Sequence, residues 1–96
     1  MTRVVVNHLR LSAPLTQTLI NAAGEACRQI LAPGAHSASV VQVDDSHAIL
    51  VLSFPDKETE ERVSADIGGP WMREHLLPLL AGPPQRSSGV VVAGAS

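Results

Sequence analysis

Residues Val4 to Leu11 alternate in character, with Val5, Asn7, Leu9 and Leu11 on one face of an extended chain and Val4, Val6, His8 and Arg10 on the other, which predicts a first strand. Ser12 is a candidate helix cap and Pro14 is tolerated in a first helical turn. Beyond them Leu15, Leu19, Ala22, Ala23, Ala26 and Ile30 return at helical spacing until Pro33-Gly34 stops the run. His36 to Val43 and His47 to Phe54 are rich in Val, Ile and Leu, and Asp44-Asp45-Ser46 between them is a turn signal, so the two segments predict a β-hairpin. After Pro55, the acids Asp56, Glu58, Glu60 and Glu61 gather where a helix start favours negative charge, and they are expected to be solvated there; Thr59, Val63 and Ile67 give a thin apolar stripe. Gly68-Gly69 is expected to end this helix and Pro70 to open a third, with Met72, Leu76, Leu79 and Leu80 as its core stripe and a kink or finish at Pro78. Gly82-Pro83-Pro84 breaks the chain. Arg86 to Ala93 supplies a last strand, with Gly94-Ala95-Ser96 as a tail.

The order β-α-β-β-α-α-β predicts an α+β domain, a ferredoxin-like antiparallel sheet with its helices on one face, and one domain over residues 1–96 accounts for the whole chain. The helices leave Val4, Val6 and part of the hairpin's apolar residues on the other face of the sheet, where they would form an exposed patch. Pairing two sheets face to face covers that patch, so a homodimer is expected. Length points the same way, because a chain of 96 residues buries only roughly 60 to 65% of its unfolded surface.

Composition narrows the partners. The formal net charge is -2, without a basic stripe, which argues against nucleic acid. No apolar run approaches membrane-spanning length and the N-terminus shows no signal-peptide pattern, so a cytoplasmic protein is expected. Cys27 is the only cysteine, which excludes an intrachain disulfide and suits a small buried hydrophobe on a helix. Phe54 and Trp71 are the only aromatic residues. The core is therefore aliphatic, and a gap in it wide enough for a flat ligand would come from the architecture.

Candidate chemistry is sparse. Asn7 shares a strand face with apolar neighbours, and a buried amide needs a partner, either backbone at a sheet edge or a ligand. Trp71 and His75 lie four apart and share a helix face at the border of the core stripe, where a pocket lip or a subunit contact would be. His75 suits a general base, an iron ligand or a packing residue. Arg10 and Arg73 suit an anionic substrate or simple solvation. His8, His36 and His47 show no paired spacing, so no metal signature is read, and nucleophile elbow, phosphate loop and dinucleotide fingerprint are all absent.

The element order, together with Phe54-Pro55-Asp56, Gly69-Pro70 and the stretch from Leu76 through Pro78 to Pro84, resembles the antibiotic biosynthesis monooxygenase family of dimeric α/β barrels. The resemblance covers nearly the whole chain. It implies either cofactor-free oxidation of a small planar aromatic polyketide or quinol, in secondary metabolism, or haem degradation; a non-catalytic dimeric binding protein is the third reading. Asn7, in Asn7-His8-Leu9-Arg10-Leu11, falls where the family keeps its catalytic asparagine, and His75 falls where the haem-degrading branch keeps its axial histidine. That branch's tryptophan upstream of the histidine is replaced by Ala65-Asp66, and Phe54 stands where the polyketide-oxidising branch often has a tryptophan. The reading that follows is a monooxygenase-like enzyme without cofactor, with haem as the alternative. Asn7 would be the oxyanion donor and His75 the base, while Trp71, Phe54, Leu9 and Met72 would contact a small hydrophobic aromatic ligand.

Overall fold

The computed structural model describes residues 1 to 95. The elements are β1 (Arg3–Arg10), α1 (Gln17–Leu31), β2 (Ser37–Asp44), β3 (His47–Phe54), α2 (Lys57–Val63), α3 (Gly69–Trp71) and β4 (Gln85–Val90). The four strands form one antiparallel sheet in the order β2-β3-β1-β4. This is the ferredoxin-like α+β arrangement that the periodicity predicts. β1 is central, and its alternation decides the layers: Val5, Asn7 and Leu9 are buried beneath the helices, while His8 and Arg10 are exposed on the outer face.

The outer face is the one that the helices leave open. The register sets Val6 opposite Val51 and His8 opposite Ile49, which gathers Val4, Val6, Ile49 and Val51 there, all half-buried. Val41, beside Ile49, is 46% exposed.

The inner face carries two hydrophobic clusters. Val5, Ile30, Ala35, Leu52, Phe54 and Val63 make one; Leu9, Leu11, Ala48 and Leu76 make the other. Val5 and Leu9 belong to different clusters, so Asn7 sits at the seam between them, with Leu50 packed against both.

Several local expectations are corrected. Thr16, not Ser12, caps α1, its Oγ1 accepting from the Leu19 N–H at 3.1 Å, and Pro14 precedes the helix. The Ser12 hydroxyl instead donates to the Leu79 carbonyl at 2.8 Å, which ties the end of β1 to the end of the helical segment. Leu79, expected in the core stripe, is 41% exposed, because the last helical turn tightens to 3₁₀ form and Pro78 bars its continuation.

Gly68-Gly69 does not end a helix. The backbone stays right-handed helical through both residues and runs on into α3. Widened π turns at Ser64–Gly68 and Met72–Leu76 flank α3, the first closed by the Gly69 N–H on the Ser64 carbonyl and the second by the Leu77 N–H on the Met72 carbonyl. Each widened turn closes one residue before a proline, Pro70 or Pro78. A proline in a helix lacks its N–H and its ring crowds the carbonyl four residues back, and widening the turn relieves both demands. Glycine is required at position 69, since a Cβ there would come within 2.9 Å of the Ser64 oxygen.

The acidic helix start is only partly solvated. Asp56 caps α2 by accepting from the Thr59 N–H at 2.7 Å, which holds its carboxyl below the usual range. Glu58 and Glu61 are exposed, but Glu60 is buried at 3% exposure, with Arg3 Nε 3.1 Å and Arg86 Nη2 3.4 Å from its two oxygens. One turn of helix after Asp56, Glu60 faces the sheet, where Arg3 and Arg86 arrive from β1 and β4. A buried carboxylate is tolerated only with such partners.

Candidate functional site

Where the two clusters part, a cleft of about 860 Å³ opens between the inner face of the sheet and the helical layer. Its floor is Asn7, Leu9 and Leu50, α1 supplies Leu19 and Ala23, and the far wall is Ile67, Trp71 and Met72. Small and aliphatic side chains make most of the lining, so the space exists because nothing bulky fills it. A volume of this size suits a drug-sized ligand.

Asn7 is 8% exposed. The backbone explanation for its burial fails, because β1 lies between β3 and β4 and Asn7 pairs with Leu50 on one side and Arg86 on the other. No side-chain hydrogen bond among the described residues uses its amide, and no fully buried side-chain polar atom lacks a partner. The amide therefore keeps access to the cleft and has its donor free for whatever enters.

Leu9, Met72 and the half-buried Trp71 line the cleft. Two expected site residues lie elsewhere. Phe54 is 0% exposed and packs in the cluster with Val5 and Val63, sealed away from the cleft. His75 shares a helix face with Trp71, at a ring separation of 5.2 Å and a tilt of 36°, yet its side chain is 44% exposed beside Glu74 and is not part of the lining. Leu76, four residues on from Met72, continues the inward stripe, and His75 falls on the solvent side of its border. An imidazole so placed is not presented to the cleft. These residues do not fit a haem held through His75.

Arg86, the cross-strand partner of Asn7, also lines the cleft and is not among the site residues that the sequence predicts. Its only signal in the sequence is strand parity, which means nothing until β4 is paired with β1. Gln42 and Cys27 also reach the lining. Burial pushes the Cys27 thiol up, partly opposed by Arg28, so it stays protonated. Among the described residues, no histidine, aspartate or glutamate lines the cleft. Arg10 and Arg73 are both exposed and outside it.

The chain has the fold of solved antibiotic biosynthesis monooxygenases. A monooxygenase encoded by ActVA-Orf6 of Streptomyces coelicolor, in complex with the ligand nanaomycin D, superposes with a TM-score of 0.72 at 24% identity over 98% of this chain and 90% of that one. SnoaB, a cofactor-independent oxygenase from Streptomyces nogalater, gives 0.74 at 12% identity over 97% and 95%. A dimeric ferredoxin-like protein from an uncultured marine organism gives 0.76 at 13% identity over 100% and 99%. No protein-family profile and no curated protein matches the sequence. Among the described residues, no helix is long and apolar enough to cross a membrane.

Proposed function

We propose that this protein is a cofactor-independent monooxygenase-like enzyme that binds a small planar aromatic compound in the cleft and works as a homodimer in the cytoplasm. The observation that carries this reading is the Asn7 amide, buried, without a protein partner and open to an apolar cleft of about 860 Å³. A hydrogen-bond donor fixed in a dry, apolar site is worth most to a group that gains negative charge during reaction. An anthrone or quinol oxidised by oxygen passes through an enolate and then a peroxy anion, and both place charge on oxygen. In an anthrone, overall, one O₂ converts the CH₂ carbon to a carbonyl and releases water. Asn7 would stabilise the oxyanion, Arg86 opposite would add positive potential, and Leu9, Trp71 and Met72 would hold the ring plane. The nanaomycin D complex of the Streptomyces coelicolor neighbour supports the choice of a small-molecule ligand, and the dimeric neighbour supports the homodimer.

With no carboxylate or imidazole among the described residues of the lining, the reading takes the substrate to ionise by its own acidity, which favours anthrones and hydroquinones over simple phenols. The same absence favours a second reading, a dimeric binding protein that keeps the cleft without turnover. One experiment separates the two: oxygen uptake and absorbance of anthrone and hydroquinone substrates in metal-free buffer, with and without protein. Enzymatic acceleration that vanishes under nitrogen supports the first reading. Saturable binding with only the spontaneous rate would leave the second.

A further inference from the structure

On the outer face of the sheet, remote from the cleft, His8 of β1 and His47 of β3 meet ring to ring. Their centroids are 5.3 Å apart and the planes differ by 30°, with His8 Nδ1 and His47 Nε2 separated by 3.1 Å. The two residues are 39 apart in sequence, so no ligand spacing announces them. They come together because His8 pairs with Ile49 and His47 with Arg10, which makes them diagonal neighbours on one face. Both stand on paired strands and not on loops, which fixes the geometry more tightly.

We propose that His8 and His47 form a two-imidazole binding site for a divalent first-row transition cation. With metal–nitrogen bonds of about 2.0 to 2.1 Å, nitrogens 3.1 Å apart subtend about 95 to 102° at a shared cation. That angle lies between the square-planar and tetrahedral values, which suits Cu²⁺, Ni²⁺ and Zn²⁺. Without metal, one ring donates its N–H to the lone pair of the other. On binding, the donor ring takes its other tautomer, its proton passing to its remaining nitrogen, so that both facing nitrogens ligate. No third His, Cys, Asp or Glu among the described residues completes a cluster, so the affinity is that of a two-ligand site. The charged neighbours in register are Arg10 and Asp44, both opposite His47, one of each sign; His8 faces Ile49 and Gln85.

The test is calorimetric titration of the intact protein with Zn²⁺ and with Ni²⁺ at pH 7.5. One cation per chain is expected, and His8→Ala or His47→Gln should each weaken it by at least about tenfold. His36→Ala, His75→Ala and Cys27→Ser should leave it unchanged. Imidazole Cε1–H proton resonances of His8 and His47 should shift on adding Zn²⁺ while those of His36 and His75 stay. No binding at a hundred-micromolar order of metal, or binding indifferent to both His8→Ala and His47→Gln, would overturn the proposal.

Discussion

Asn7 and Arg86 stand opposite each other on neighbouring antiparallel strands, and both line the cleft. Two side chains that carry hydrogen-bond donors thus share the lining of a mostly apolar cleft. Glu60 steadies Arg86 with one contact at 3.4 Å, and the arginine side chain remains 46% exposed. The guanidinium is therefore oriented by Glu60 through a single contact and not by a close bidentate pair.

Asn7→Ala should lower turnover of an anthrone about a hundredfold to a thousandfold, the usual effect of removing one oxyanion donor. Binding should change little, since the contact strengthens only as charge develops. Steady-state oxygen uptake gives kcat and KM separately. A loss confined to KM would assign Asn7 to binding alone.

Trp71 is the single tryptophan and lines the cleft. Its emission should quench in proportion to ligand bound, reaching a plateau at the stoichiometry measured by calorimetry. His75→Ala should alter the emission of the free protein, because the two rings are 5.2 Å apart, while leaving ligand affinity within about twofold, as expected for an exposed side chain away from the lining. A large loss of affinity would bring His75 back to the site.

Glu60→Ala leaves Arg3 and Arg86 without their shared carboxylate. Breaking a buried pair from one side costs about 3 kcal/mol, with Arg86's exposure lowering its share. Glu61→Ala removes only an exposed pairing with Lys57 at 3.9 Å and should cost about 0.5 kcal/mol or less. Urea denaturation compares the two variants directly. Equal effects would mean that Glu60 is hydrated in solution.

Acid should weaken α2 through Asp56. Its carboxyl is held below the usual range chiefly by the Thr59 backbone N–H, so as pH falls the unfolded chain binds a proton before the folded one does. This cap's contribution is complete above the unfolded value of about 3.9 and is lost as pH falls through the lowered folded value. Asp56→Asn, which keeps an acceptor but does not titrate, should flatten that part of the stability profile between pH 5 and 2. An unchanged profile would show that the cap does not govern acid stability.

Val6 and Val51 are paired on the outer face and only half-buried in a single chain. Sedimentation equilibrium at micromolar concentration should give twice the chain mass, and Val6→Asp, which places a charge in the shared face, should give one. A wild-type monomer would remove the face-to-face pairing.

The element order, the alternating β1, the hairpin and the oddness of Asn7 among apolar neighbours were all readable from local pattern, because side-chain parity in a strand and period in a helix are set by the backbone alone. Other features were decided by tertiary structure. Glu60 looks like one more acid at a helix start until the sheet brings Arg3 and Arg86 to it. Phe54 looks like a pocket wall until Val5 and Val63 close over it. His75 borders the core stripe by helical spacing, and only the docking of the helix on the sheet decides that it falls on the solvent side. His8 and His47 have no relation at all until β1 and β3 are in register. In each case the deciding quantity is a contact between residues far apart in the chain, and that is not encoded in any short window of sequence.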